Sequence, residues 1–399
     1  MRIGMMADAY RPHVSGITHY ISLNKRSLEK SGHQVFVFTF GGEDYADEES
    51  NIVRSPGLPL ADTGYYFGLR YTRLARRKLQ TMDIVHVHHP FLSGWMSLRY
   101  ARPHGIPIVF TNHTRYDLYA HAYLPSVPEQ LSTTFLQAFL PSFCRDVDLV
   151  IAPSQGLKQV LVQLGVDAPI ETIPNGVDLV PFRTPTRVVG REELGLSETD
   201  TLLVYSGRLG PEKNLTFLMR AFAGVLAAYP DTSLLLLGDG PERENLQHLA
   251  SQSGVEKQVV FCGMVPYRDL PCYLAAGDVF VTASVTEVHP LSVIEALASG
   301  LPVLGIDSPG IADTIVDGEN GLLSTNDLAA FTAKLARLVA DRKLRKKLAE
   351  GASRSADQYA IENTSAVVES QYERLVTERP RWRDRRWRMF WQRLMDRAT

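Results

Sequence analysis

Short apolar runs alternate with amphipathic stretches along most of the chain. In the first half the runs fall at residues 2–7, 34–40, 83–88, 106–111, 148–152 and 170–173. Between them lie stretches with helical spacing, among them 16–30, stopped by Gly32, and 155–164, stopped by Gly165. Apolar runs separated by helices predict a parallel sheet covered on both faces. Around residues 180–198 the pattern lapses into Pro, Thr and charged residues, which predicts a linker. The alternation resumes at 202–205, 233–237, 259–261, 279–281 and 302–305, and a long helical region runs from Leu328 to about Val376. The expected architecture is α/β: two doubly wound, Rossmann-like domains facing a central cleft, with ligands at the carboxyl ends of the strands. The boundaries expected are 1–180 for the first domain, 181–370 for the second and 371–399 for a helical tail.

Composition narrows the classes. A chain of 399 residues exceeds one ordinary core, in keeping with two domains. With 42 basic and 44 acidic side chains the net charge is −2, so the overall charge offers no case for a nucleic-acid partner. Cys144, Cys262 and Cys272 are scattered, without a CxxC pair, which argues against a disulfide framework and fits a reducing cytosol. Residues 1–8 carry a short apolar run cut off by Asp8 and read as a first strand, since a secretory signal needs a longer run. No stretch has the apolar length needed to span a bilayer.

Four segments carry candidate chemistry. Residues 286–300 place Glu287 in a loop after a strand and Glu295 a turn into the helix that starts near Leu291. Backbone N–H groups from Val288 to Ser292, including His289 and Leu291, are then free to face a polar ligand. Two acids so placed suit the hydroxyls of a sugar and a ribose; equally, they suit a solvated acid and a charge that complements the helix dipole. In residues 205–214, Arg208 and Lys213 sit in a turn at a strand's carboxyl end beside a helix start, where cations suit a diphosphate. The third segment, residues 8–17, joins the first strand to the first helix, and Gly16 would let a phosphate or sugar approach the backbone. It lacks G-x-G-x-x-G, which weakens a dinucleotide reading. The fourth, residues 110–117, puts His113 directly after an apolar strand. His86, His88 and His89 resemble a metal cluster, but His86 and His88 share one strand face and His89 the other, with no acid at ligand spacing.

Together these segments resemble the retaining GT-B glycosyltransferases of glycosyltransferase family 4, from Ile3 to about Tyr372. The resemblance rests on Glu287 and Glu295 with seven residues between, GRLGPEKN at 207–214, LLLLGDGPERENL at 234–246, IPNGVD at 173–178 and DIVHVHHP at 83–90. It implies that Glu287 holds the donor sugar, Glu295 the ribose, and Arg208 and Lys213 the diphosphate of a nucleotide sugar. Gly16 would meet the diphosphate from the first domain, His113 would lie beside the sugar, and Met264 and Val265 along the base. Glu287, Arg208, Lys213 and His113 would be the catalytic set, with no obligatory metal. Two positions depart from the family pattern. His289-Pro290 stand in a run that is usually Gly-rich, and Pro290 lacks an N–H; Ser15 replaces a common glycine.

Residues 111–119 also resemble the family's diacylglycerol glucosyltransferases, which would make Tyr116, Tyr119, His121 and Tyr123 the lining of an acceptor entrance. The tail from Glu378 holds three of the four tryptophans and eight arginines against three acids. Trp387, Phe390 and Trp391 recur on one helical face, while Arg385, Arg386 and Arg388 lie mostly off it, the pattern of an interfacial membrane helix. The same face equally suits packing on the first domain. Arg70, Arg73, Arg76, Arg77 and Lys78 form a second basic cluster. The reading expected is transfer of glucose from UDP-glucose to a membrane lipid such as diacylglycerol, by a cytoplasmic protein on the inner face of an anionic membrane. The alternatives are a GDP-mannose- or UDP-sugar-dependent transferase acting on a soluble sugar, glycan or phosphatidylinositol-type lipid, a nucleotide-sugar epimerase, and a non-catalytic nucleotide-binding protein.

Overall fold

The computed structural model describes residues 1–42, 45–59, 66–68, 70–116, 118 and 138–378. Contacts divide the chain into two compact units. The first comprises Met1–Pro153, Lys158–Pro174 and the chain from Glu362; the second comprises Ser154–Leu157 and Asn175–Ile361.

The first unit is built on a parallel sheet of β1 (Arg2–Met6), β2 (Gln34–Gly41), β3 (Ile52–Pro56), β6 (Ile84–Val87), β7 (Ile108–Thr111), β8 (Leu149–Ala152) and β9 (Ile170–Thr172), with β4 (Leu58–Pro59) and β5 (Tyr66–Phe67) as a separate antiparallel pair. The order β3-β2-β1-β6-β7-β8-β9 reverses direction at β1. Central strands β6, β7 and β8 are buried at every position, which is why they read as continuous apolar runs. On one face Ile3, Met5, Val35, Val37, Ile84 and Val109 pack with Tyr20 and Ile21 of the first helix, Gly16–Lys30.

The second unit repeats the plan. Its sheet consists of β10 (Thr201–Ser206), β11 (Thr232–Leu237), β12 (Val259–Gly263), β13 (Val279–Val281), β14 (Val303–Ile306) and β15 (Gly321–Ser324), in the order β12-β11-β10-β13-β14-β15. All of its strand pairs are parallel. Two buried clusters cover the two faces, one gathered around Phe222, Leu234 and Phe331 and the other around Leu235, Phe280 and Ile294.

Two sequence expectations change. Residues 180–198 are not a linker: they contain the helix Val180–Arg183, and Phe182, Val189 and Leu196 are buried within the second unit. The Val189 N–H also donates to the Cys272 carbonyl at 3.1 Å. The composition is loop-like because this segment alternates anchors with exposed turns. Secondly, the helix Ile361–Thr377 belongs from Glu362 onward to the first unit, although residues up to 370 were expected in the second domain. Val368, Tyr372 and Leu375 enter the first unit's core, and Ser365 and Glu369 bond to Ser27 at 2.6 Å and His33 at 2.7 Å. Such cross-chain partners leave no trace in local periodicity. Strand β3 was also missed, because Ile52–Pro56 is a half-buried edge strand with only two strongly apolar residues.

Candidate functional site

In the second unit the strand order reverses between β10 and β13, and open α/β sheets bind ligands at the carboxyl ends of strands at such a point. The loops after these two strands meet there. Lys213, at the end of the short 3-10 turn Pro211–Lys213, places Nζ 2.7 Å from Glu287 Oε1. Both side chains are about a fifth exposed, at 22% and 19%, so the pair is reachable from solvent yet mostly shielded. Ser284 and Thr286 each donate a hydroxyl to the Glu212 carbonyl at 3.4 Å, fastening the two loops together. Asn214 then takes a left-handed backbone (φ 54°) and its amide donates to the Ala283 carbonyl at 3.2 Å.

Glycines set how closely the neighbouring loops approach. Gly207 and Gly238 have φ of 152° and 146°, and a Cβ on Gly238 would lie 1.9 Å from the Gly207 carbonyl oxygen. Leu209 N–H donates to the Asp239 carbonyl at 3.0 Å, so GRLG and GDG run side by side. Gly310 supports the third side. Its N–H donates to the Glu287 carbonyl at 3.2 Å, and a Cβ there would meet that oxygen at 2.3 Å.

Behind Glu287 runs the helix Leu291–Ala298, which starts at Pro290 without a side-chain cap. The N–H groups of Leu291 and Ser292 make no hydrogen bond among the described residues, and both residues are half-buried. Glu295 is only 4% exposed, and burial pushes its carboxyl up to about 7, with the Tyr267 hydroxyl opposing the rise. Because the folded carboxyl titrates above its ordinary value of 4.5, it contributes stability at low pH that is lost as pH rises toward 7. Glu295→Gln is therefore expected to be more stable than the wild type at pH 8, by up to about 3 kcal/mol, with the gap closing toward pH 5. Urea unfolding at the two pH values measures it; a gap that does not change with pH contradicts the buried-acid account.

The His289 side chain does not face this opening. It is 4% exposed, its Nδ1 accepts from the Asn175 N–H at 3.3 Å, and its ring lies edge-on to Tyr359. Asn175 Nδ2 also donates to the His289 carbonyl at 2.8 Å, so IPNGVD holds the Glu287 loop from behind. Burial lowers the His289 imidazole to about 3. Asn175 and Gly310 are thus positioning residues whose roles the motifs alone do not reveal.

The other expected residues spread outward. The Arg208 side chain is 66% exposed and lies 4.0 Å from Glu212 Oε1, so it is on the Lys213 loop without joining the Glu287 pair. Met264 is exposed, while Val265 packs on the sheet cluster below it.

In the first unit the reversal falls between β1 and β6. Ser15 caps the helix Gly16–Lys30 in a reciprocal box with Thr18, which accounts for a serine where glycine is common. A Cβ on Gly16 would meet nothing within 4 Å, so the helix start is open. His113 Nε2 lies 3.1 Å from His88 Nδ1, and His86 rests on Tyr372 and Thr111. No group of three or more His, Cys, Asp or Glu arranged to hold a metal occurs among the described residues. Tyr116 is 2% exposed, edge-on to Phe91 in the core, and does not border an open surface. Tyr119, His121, Tyr123, Arg385, Arg386, Trp387, Arg388, Phe390 and Trp391 lie outside the described residues.

Two Rossmann-like units, each with its strand order reversing at a switch point, are the parts of the GT-B class of hexosyltransferases. Residues 14–180 match the family model Glycosyltransferase Family 4, and residues 189–355 match Glycosyl transferases group 1. The chain is 32% identical over 346 residues to an alpha-monoglucosyldiacylglycerol synthase of Streptococcus pneumoniae, covering 82% of this chain and 77% of that protein. To the Acholeplasma laidlawii protein of the same name it is 28% identical, covering 94% and 98%. The fold matches a solved Anabaena protein, HepE, in complex with UDP-glucose, with a TM-score of 0.75 at 20% identity over 94% of this chain and 99% of that one. The chain belongs to glycosyltransferase family 4.

Proposed function

We propose that the protein transfers glucose from UDP-glucose to the free hydroxyl of a diacylglycerol-type lipid, with retention and without an obligatory metal. The observation that carries the donor half is the Lys213–Glu287 pair beside the unbonded N–H groups of Leu291 and Ser292. In this reading Lys213, with Arg208 swinging in from solvent, takes the diphosphate, and the helix N–H groups add to its stabilisation as it leaves. Glu287 holds the sugar hydroxyls and Glu295 the ribose. His289 and Pro290 shape the loop, and Met264 and Val265 border the base. The resemblance gives Gly16 a role toward the diphosphate and His113 one toward the sugar. The anomeric carbon–oxygen bond to the diphosphate breaks as the acceptor oxygen forms its own bond on the same face, and the acceptor's proton passes to the departing diphosphate oxygen.

The names of the two synthases support a lipid acceptor, and a surface of the first unit supports an anionic membrane. The helix Arg73–Leu79 and its surroundings carry Arg70, Arg73, Arg76, Arg77, Lys78 and Arg99, none paired with a carboxylate among the described residues. Arg73, Arg76 and Arg77 line a cavity of about 250 Å³ with Gln80 and Tyr100. Leu74 and Trp95 nearby in sequence are 78% and 46% exposed. Cations without acids, beside exposed apolar groups, suit acidic headgroups and the acyl boundary. No helix among the described residues is long and apolar enough to cross a membrane.

The test is transfer of labelled glucose from UDP-glucose to diacylglycerol in vesicles with and without phosphatidylglycerol. Lipid-soluble label that rises with the acidic lipid is expected, and Arg73→Glu with Arg77→Glu should abolish the rise. Label from GDP-mannose alone, or label in water-soluble acceptors alone, overturns the reading.

A further inference from the structure

His88 and His113 are joined by a contact that the proposed chemistry does not use. His88 is fully buried, and its Nδ1 lies 3.1 Å from His113 Nε2. The other nitrogen, His88 Nε2, is buried with no partner among the described residues. Tyr20 stands edge-on to both rings, at 5.7 Å from His88 and 4.7 Å from His113, and the His86 ring lies 4.2 Å from that of His88. His86 is committed through both nitrogens, to Tyr372 and Thr111, and His89 Nδ1 accepts the Asp8 N–H at 3.2 Å. The Asp8 carboxylate is itself held by the Leu92 and Ser93 N–H groups. The hydrogen in the contact must therefore come from one of these two rings.

Burial, then the neighbouring histidines, holds His88 and His113 well below the ordinary imidazole range, so each carries a single ring N–H near neutrality. Two arrangements satisfy the 3.1 Å contact. If His113 donates from Nε2, His88 accepts at Nδ1 and must carry its own hydrogen on the buried, partnerless Nε2. If His88 donates from Nδ1, its Nε2 is a bare lone pair. Among backbone groups an orphaned buried N–H is rarer than an under-satisfied acceptor, and the same preference applied to the imidazole favours a bare Nε2. The second arrangement wins, and it leaves the hydrogen of His113 on Nδ1.

We infer that His88 is a positioning residue that fixes the tautomer of His113, so that His113 presents an Nδ1–H donor. The catalytic consequence, a hydrogen bond from that donor to a hydroxyl of the transferred sugar, rests on the proposed placement of His113; the tautomer does not.

The experiment is long-range proton–nitrogen spectroscopy of the full chain labelled with ¹⁵N-histidine, with His113 assigned by the signal lost in His113→Gln. Nδ1–H signatures for His88 and His113 in the wild type are expected. In His88→Phe the His113 pattern should shift toward Nε2–H, and kcat/KM should fall about tenfold, the worth of one mis-set neutral hydrogen bond. His88→Asn, whose amide N–H sits where Nδ1–H was, should restore both readouts to within about twofold. An Nε2–H His113 in the wild type overturns the inference from that spectrum alone, even if the variants fail to fold. An Nδ1–H signature that persists in His88→Phe overturns the role of His88. A tautomer that shifts while transfer continues unchanged supports the tautomer assignment and refutes the placement of His113 beside the sugar.

Discussion

Replacing Lys213 with alanine is expected to lower kcat by about two to three orders of magnitude, the usual loss when one preorganised group that stabilises developing charge is removed. Lys213 lies 2.7 Å from Glu287 and is shielded enough for its charge to act through less water than Arg208 has around it. Truncation also leaves the Glu287 carboxylate without its partner in a mostly covered position, so donor affinity falls as well. Arg208→Ala is expected to cost less, because a 66%-exposed guanidinium must first be ordered by the ligand. Steady-state rates for the two variants, with circular dichroism to show retained fold, make the comparison. A Lys213→Ala enzyme within threefold of wild type refutes the donor-site assignment.

The second large effect is on folding. Gly238→Ala puts a Cβ 1.9 Å from the Gly207 carbonyl oxygen, at a φ of 146° that side chains rarely adopt. The nearest atoms are all Gly207 backbone rather than a flexible side-chain end, so β10 and β11 must part at the point where their loops meet. Backbone strain and forced displacement together cost about 3–5 kcal/mol. That corresponds to a loss of roughly 10 °C in Tm for a unit of this size. Donor binding should weaken even well below the transition, since Leu209 and Asp239 hold the Lys213 loop against its neighbour. Gly16→Ala is the control: its Cβ meets nothing within 4 Å, so Tm should hold. A Gly238→Ala protein as stable as wild type contradicts the close approach.

Much of this was legible in the chain. Strand and helix periods located both sheets, because buried parallel strands must be apolar throughout and covering helices must be apolar on one side. Glu287, Glu295 and Lys213 were legible as candidates because loops at strand carboxyl ends are marked by Gly, Pro and charge. What local pattern did not reveal was orientation. His289 sat in the expected donor loop, yet its ring turns inward to Asn175, 114 residues away. Arg208 and Lys213 looked equivalent, and only packing made one shielded and the other solvent-facing.

The sequence by itself determined two α/β units, the family and the chemical types at the switch point, since each depends on short-range period or on residue identity. The tertiary structure decided where the units part, which unit claims the helix Ile361–Thr377, and which acid is buried. It also decided that His88 Nε2 has no partner among the described residues. Those outcomes depend on contacts between residues far apart in the chain. Desolvation and hydrogen-bond satisfaction are set by the whole neighbourhood rather than by neighbours in sequence.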